Sequence, residues 1–244
     1  MRNLDCNNKG ERRVSKRQQG FTLVEIAIVL VIIGLLLGGI LKGQEMITQA
    51  KIKNVIADFS GISAAYHGYQ DRYRAIPGDD PNADTRWASM TPAAVKGDGN
   101  GIVAGTYNNG GATCTTAVES CSWWDHLRKA GFVSGNGVQQ PLNAVTGQIG
   151  VQTGDGAGGP VLGAAAGAGG FSGLIICSAN LPDKIAGAVD TQMDDGQRLS
   201  GSVRGQLNTA PNPAIVADAT AAAVGGPANY QETGTNIYTL CRAF

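Results

Sequence analysis

Residues 21–41 read FTLVEIAIVLVIIGLLLGGIL. This stretch carries a single charge, Glu25, and the 16 residues from Ile26 to Leu41 carry none. As an α-helix it would extend about 31 Å, which matches the hydrocarbon thickness of a bilayer. Because a helix satisfies its own backbone hydrogen bonds in lipid, the stretch predicts a membrane-spanning helix.

The charges on either side of this stretch are uneven. Residues 1–20 hold six basic and two acidic side chains, a net charge of +4, whereas residues 21–244 hold 13 basic and 17 acidic side chains, a net charge of −4. Basic residues before a span favour a cytoplasmic N-terminus, so the rest of the chain is expected across the membrane. The net negative charge of residues 21–244 argues against binding of DNA or RNA, and no nucleic-acid partner is expected.

Two common kinds of N-terminal segment compete with this interpretation. A secretory signal peptide has a shorter apolar region, about 7–15 residues, followed by a small-residue cleavage site, which is not evident here. A plain membrane anchor would leave Glu25 without a role, and a carboxylate within a span is costly unless it is paired.

The boundary before the apolar stretch resembles the leader and processing site of type IV pilins and of type II secretion pseudopilins. It reads Lys-Arg-Gln-Gln-Gly at residues 16–20, followed by Phe-Thr-Leu-Val-Glu at residues 21–25. The resemblance implies that residues 1–20 are a leader, cut between Gly20 and Phe21 by a membrane-embedded prepilin peptidase. It also implies methylation of the new Phe21 amine. Because the cut lies on the cytoplasmic side, the apolar helix would be kept.

The same resemblance assigns an assembly role to Glu25. In a filament the apolar helices pack in a core without water, where a carboxylate needs a positive partner. The family supplies the N-terminal amine of a neighbouring subunit, which here would be that of Phe21.

An apolar stripe continues the helix beyond the span. Its members, spaced alternately by three and four residues, lie on one face of a helix. They are Ile52, Val55, Phe59, Ile62, Tyr66, Tyr69 and Tyr73. We therefore expect one helix from Phe21 to Tyr73, with a transmembrane half at 21–41 and an amphipathic half within 42–76, ended by Pro77 and Gly78.

Residues 77–244 are expected to form a globular head. The predicted fold is α+β: the long N-terminal helix packs its second half on an antiparallel β-sheet, as in type IV pilins. We expect helices beginning at Ser122 and Pro182, and a long surface loop at 205–235. Strands are expected at 147–152, 173–177, 201–204 and 236–241.

Five cysteines are present, and Cys6 lies in the leader. The four others are Cys114, Cys121, Cys177 and Cys241, and an even count beyond an export segment indicates disulfides. Three pairings exist. We favour Cys114–Cys121, which closes a small loop, and Cys177–Cys241, which joins two predicted strands and resembles the C-terminal bridge of many pilins.

Two loops are rich in carboxylate and amide oxygens, the ligands that calcium prefers. Asp98 and Asn100 resemble the start of a calcium-binding loop, but no glutamate follows at its twelfth position. Turns in which Asp and Asn side chains bond their own backbone are the favoured alternative. The same choice applies to Asp194-Asp195-Gly196, for which a hairpin turn is expected. No other cofactor is predicted.

The combined prediction is a structural subunit, major or minor, of a type IV pilus-like filament, and not an enzyme, because no catalytic motif is evident. Its partners would be the lipid bilayer, the prepilin peptidase and methyltransferase, an inner-membrane assembly platform and other pilin subunits. It would lie in the bacterial inner membrane, then in a periplasm-spanning or cell-surface filament. The alternatives are a type II secretion pseudopilin and a filament-tip adhesin whose loops at 79–122 and 205–235 bind a target.

Overall fold

A computed structural model of the chain describes residues 20–109, 118–163, 169–218 and 229–244. Its residues separate into two compact units, divided between Met46 and Ile47. The first unit contains the beginning of the long helix, and the second contains the end of that helix together with the sheet and the shorter helices.

Helix α1 runs from Leu23 to Tyr73 without interruption, in agreement with the predicted helix. It contains no proline, so every turn inside it keeps its backbone hydrogen bond. After Tyr73 the chain leaves the helix at Arg74, which has a left-handed conformation with φ of 54°, a common ending for helices. Among the described residues, α1 is the one helix long and apolar enough to cross a membrane.

The predicted stripe on α1 is buried in the second unit. Six of its seven members are buried, and the seventh, Tyr73, is partly buried against the same core. At the end of the helix, Tyr69 stacks on His126 with ring centroids 6.4 Å apart, and Tyr66 packs on Phe244 at 4.4 Å. The three-and-four spacing therefore marks the side of α1 that packs into the head.

Four antiparallel strands form the sheet, in the order β1-β2-β4-β3. All four were predicted, with boundaries within a few residues except where β2 continues further. Their side chains alternate between two cores, so that Val151, Ile176 and Leu240 share a core with α1. The strands are β1 (Ile149–Thr153), β2 (Leu174–Pro182), β3 (Val203–Leu207) and β4 (Ile237–Ala243).

The second core lies on the opposite face of the sheet. It contains Ile175, Cys177 and Cys241 from the strands, and Tyr107 and Val161 from the loops that cover them. Strand β2 is therefore buried on both faces, which explains its nearly continuous apolar sequence. The favoured pairing Cys177–Cys241 is confirmed, because the two residues lie opposite each other on β2 and β4 and are joined by a disulfide.

Helix α3 runs from Glu119 to Lys129, so the predicted start at Ser122 is wrong. The Glu119 carboxylate accepts hydrogen bonds from the backbone N–H of Asp98 and of Ala104, at 3.2 and 2.9 Å. These bonds tie the first turn of the helix to a distant loop. Because the helix has already begun, Ser122 lies inside it and does not cap it. Trp123 and Trp124 are both fully buried and pack the helix into the core that it shares with α1.

Two further helices and one predicted loop complete the comparison with the sequence. Helix α4 (Asp183–Met193) follows β2 directly at Pro182, close to the predicted helix. A four-residue helix, α2 (Ala83–Arg86), was not predicted. The predicted loop 205–235 begins too early because β3 continues to Leu207; its described parts, 208–218 and 229–235, contain no regular helix or strand.

The Cys177–Cys241 disulfide is expected to make a large contribution to stability. It closes a loop with a sequence separation of 64 residues, which restricts the unfolded chain by about 4 kcal/mol in the loop-entropy relation. Denaturant unfolding of the wild type and of the variant Cys177→Ala/Cys241→Ala, both without reductant, measures this difference. The variant should unfold at a lower denaturant concentration than the wild type; equal midpoints would contradict the expectation.

Candidate functional site

The first turn of α1 holds the residues that the leader motif singles out. Glu25 accepts hydrogen bonds on Oε2 from the backbone N–H and the hydroxyl of Thr22, both at 2.8 Å. In return the backbone N–H of Glu25 donates to the Thr22 hydroxyl at 3.3 Å. This reciprocal arrangement is a capping box, which satisfies amide groups that a helix start leaves without partners.

The position of Glu25 also suits its charge. The start of a helix carries the positive end of the helix dipole, which favours a carboxylate there. The capping box therefore explains how an isolated chain holds an acid at the edge of an apolar segment. Thr22 was not recognised as a site residue from the sequence, although its spacing of three residues from Glu25 is the capping-box signature.

Gly20 and Phe21 precede the helix. Both are exposed, and nothing lies within 4 Å of the place where a side chain on Gly20 would begin. Gly20 is therefore accessible as far as the described residues are concerned. Cleavage at this bond would create a new amine at Phe21, one turn before Glu25 and next to Thr22.

Apolar surface surrounds the rest of this segment. Every large apolar side chain from Phe21 to Leu41 is between 46 and 85 % exposed. A surface of this size and continuity on a single chain indicates a membrane or protein contact. The segment therefore requires lipid or other protein around it.

The predicted calcium residues lie in a loop that folds around a different carboxylate. Asp79 is buried and accepts hydrogen bonds from the backbone N–H groups of Gly99, Asn100 and Gly101, at 2.6, 3.2 and 2.7 Å. Gly99 and Gly101 have φ of 75° and 86°, a conformation that suits glycine. Burial raises the pKa of the Asp79 carboxyl.

Asp98 and Asn100 use their oxygens within the same loop. The Asp98 carboxylate accepts from the backbone N–H and the side-chain amide of Asn100, at 3.0 and 2.7 Å. The side-chain carbonyl oxygen of Asn100 accepts a hydrogen bond from the backbone N–H of Ile102 at 2.7 Å. These are the side-chain turns of the alternative interpretation. Asp79, Asp98 and Glu119 nevertheless each offer an oxygen within 4.8 Å of the others, and a calcium role for Asp98 and Asn100 stays a prediction.

A second acidic cluster follows α4. Asp194-Asp195-Gly196 forms a turn, but the turn leads from α4 towards β3, so the predicted hairpin between two strands is wrong. Asp194 accepts from the backbone N–H of Val203 at 3.0 Å. Asp190, fully buried, accepts from the Tyr230 hydroxyl at 2.6 Å. Burial raises the pKa of the Asp190 carboxyl to about 6.

The raised pKa of Asp190 predicts a pH dependence of stability. Asp190 retains its proton in the folded state up to about pH 6 but loses it near pH 4 in the unfolded chain. Its ionisation therefore costs stability as pH rises from about 4 to 6, and the loss is complete above that range. In Asp190→Asn this contribution is absent.

We accordingly expect the free energy of unfolding of Asp190→Asn, relative to wild type, to increase by about 1–3 kcal/mol between pH 4 and pH 7. Denaturant unfolding of both proteins at several pH values measures this increase. A difference between them that does not change with pH would show that Asp190 titrates normally.

Three of the four cysteines predicted to form disulfides lie in the described part of the chain. Cys177 and Cys241 are joined, and Cys121, in α3, is disulfide-bonded. Its predicted partner Cys114 lies outside the described residues, so the Cys114–Cys121 pairing stays a prediction.

Comparison with known proteins concerns the N-terminal segment. Residues 15–41 match the family model of the prokaryotic N-terminal methylation motif, which is the leader signature of type IV pilins and pseudopilins. No match was found among curated proteins. The motif supports a type IV pilin-like or pseudopilin protein and implies processing by a prepilin peptidase and assembly with other pilin subunits.

Proposed function

We propose that this chain is a structural subunit of a type IV pilus-like filament. The first half of α1 would hold it in the bacterial inner membrane, with residues 1–20 in the cytoplasm and the head at 77–244 in the periplasm. A prepilin peptidase would remove the leader between Gly20 and Phe21 and methylate the Phe21 amine. An inner-membrane assembly platform would then move the subunit into a periplasm-spanning or cell-surface filament.

The observation that carries the proposal is an apolar helical segment that no described residue covers and that lies within the methylation motif. The motif occupies residues 15–41, and the apolar side chains that it includes are exposed. Lipid covers such a surface before assembly, and the same surfaces of other copies cover it afterwards. Both surroundings are apolar, so the helix would be shielded from water both in the membrane and in the filament.

Glu25 supplies the specificity that apolar contact lacks. In the membrane-inserted subunit, the hydrogen bonds from Thr22 stabilise the carboxylate. In the filament it would exchange this local contact for the Phe21 amine of a neighbour. A subunit displaced along the filament would leave both charges unpaired in an apolar core, which is strongly unfavourable. The pair would therefore set the axial register of the subunits.

The head would form the outer part of the filament. Its disulfide between Cys177 and Cys241 suits an oxidising compartment outside the cytoplasm. The interpretation of the chain as a structural protein also agrees with the absence of a recognised catalytic motif in its sequence, and we propose no enzymatic activity.

The amount of the chain in filaments sheared from cells tests this function. A major or minor subunit is expected in the sheared fraction, labelled along the fibres by an antibody against the head. Confinement to the cell envelope would instead favour a type II secretion pseudopilin. Labelling restricted to fibre ends would favour a tip adhesin.

A further inference from the structure

A cavity of about 540 Å³ opens at one end of the sheet. Its walls include Leu207 at the end of β3, Ile237 at the start of β4 and Asn180 in β2, together with residues 145–146, 208–211 and 235–236. Its volume lies within the range of small-molecule sites in proteins, about 300–1,000 Å³. The segments that meet there are distant in the sequence but close in the fold.

The base of the cavity is fixed by a network of asparagine side chains. Strand β2 has a register shift between Ser178 and Leu181, and Asn180, within it, has φ of 57°. The Asn180 amide donates to the Asn212 side-chain oxygen at 3.1 Å, and the Asn212 N–H donates back to the Asn180 side-chain oxygen at 3.0 Å. Thr239 on β4 donates to the side-chain oxygen of Asn208 at 2.8 Å. The cavity is thus preformed on strand ends.

None of the described residues that line the cavity carries a charge. Three asparagines, three threonines and five apolar residues line the cavity. An ionised ligand would lose water there without gaining an opposite charge, which is unfavourable. The lining therefore selects uncharged ligands.

Two polar groups on the rim have unused hydrogen-bonding capacity towards the described residues. The Asn236 side-chain amide donates to the carbonyl of Gln231 at 3.0 Å, while its oxygen accepts no hydrogen bond from a described residue. The Thr209 hydroxyl likewise makes no hydrogen bond to another described residue. A carboxamide oxygen accepts and a hydroxyl both donates and accepts, which matches the hydroxyl groups of a ligand.

Part of the backbone at the cavity is already paired between β3 and β4. The N–H of Asn208 donates to the carbonyl of Ile237 at 2.8 Å, so β3 and β4 bond each other at the cavity. A peptide that binds by adding a strand requires free backbone groups on an edge. A ligand recognised by side-chain amides, hydroxyls and aliphatic walls fits the cavity better.

We propose that this cavity binds a neutral saccharide of about two or three sugar units. Sugar hydroxyls would bond Asn236 and Thr209, and the aliphatic faces of the sugar rings would contact Leu207 and Ile237. This function goes beyond filament formation, because it requires none of the contacts that the first half of α1 provides. It would give the filament a chemical target on surfaces that display uncharged glycans.

The test uses the full processed chain in a zwitterionic detergent, because detergents with sugar head groups would occupy the site. Lactose, N-acetyllactosamine, chitotriose and maltotriose are the neutral probes, and sialyllactose and digalacturonate are the anionic probes. Saturation-transfer NMR detects binding and titration calorimetry measures the dissociation constants. We expect at least one neutral probe to bind about tenfold or more tightly than the anionic probes.

Variants locate the binding. Ala210→Trp fills the cavity and should weaken binding by about tenfold or more, whereas Ala88→Trp, at an exposed alanine outside the cavity, should leave it unchanged. Thr209→Val removes one hydroxyl and should weaken binding about fivefold. The proposal is overturned if no neutral probe binds, if anionic probes bind equally well, or if Ala210→Trp binds as the wild type does.

These outcomes are separate from those of the proposed function. Sugar binding is measured on dispersed protein, and filament formation is measured in cells. A chain that assembles but binds no neutral sugar would overturn only the inference about the cavity.

Discussion

Glu25→Ala is expected to abolish filament assembly while membrane insertion continues. The substitution removes the partner of the Phe21 amine, so an assembled filament would hold an unpaired positive charge in an apolar core. The apolar residues that insert into the bilayer remain, so the chain should still reach the membrane fraction. We expect the sheared-filament yield to fall by about tenfold or more, with the membrane-bound amount unchanged.

Two further substitutions separate the reasons for this loss. Glu25→Gln keeps an oxygen that accepts the hydrogen bonds from Thr22 but removes the charge, and it should fail to assemble as Glu25→Ala does. Glu45→Ala is a matched control, because Glu45 lies on the same helix in an exposed pair with Lys42, and such pairs contribute little. Normal assembly of Glu25→Gln would disprove the charge-pair mechanism and leave only the capping role.

Gly20→Leu is expected to block removal of the leader. The peptidase must approach the backbone at the cut, and a side chain at Gly20 would obstruct that approach. The chain should remain in the membrane with residues 1–20 attached, and it should not enter filaments because Phe21 has no free amine. Immunoblots of membranes from cells that make the peptidase would show a single precursor band and almost no mature band.

The matched control for this prediction is another exposed glycine. Gly61 lies on α1, and nothing lies within 4 Å of the position where its side chain would begin. Gly61→Leu should therefore be processed as the wild type is. Normal processing of Gly20→Leu would show that the peptidase does not require glycine before the cut.

Local patterns predicted the long elements of this fold. Helix α1 could be predicted from the uncharged run to Leu41 and from the stripe that begins at Ile52. Both signals are local, because each is formed by residues close together in the sequence. The strands were likewise predicted from short apolar runs. The Cys177–Cys241 pair could be favoured because each cysteine ends such a run, although the sequence left three pairings open.

Features that depend on distant contacts could not be predicted in this way. The start of α3 depends on bonds from Glu119 to residues 98 and 104, and nothing in the helix sequence reports them. Asp79 organises a loop about 20 residues away. The cavity at the sheet end combines parts of four segments between residues 145 and 237, so only the fold brings them together.

The N-terminal site combines residues that the local sequence reveals with a contact that it does not. Gly20, Phe21 and Glu25 were predicted from a short motif, because a peptidase must read a contiguous sequence. Thr22 was missed although its local spacing to Glu25 was sufficient. In the proposed filament the partner of Glu25 would lie on another subunit, so a single chain does not contain it.

The mass of the intact chain extracted from cell membranes and from sheared filaments shows whether the apolar helix is kept and its amine is freed. We predict one species that begins at Phe21, carries an N-methyl group and contains two disulfides. A chain that still begins at Met1, or that has lost the apolar segment up to Leu41, would contradict the account, because the helix must be retained and its amine freed for Glu25 to act.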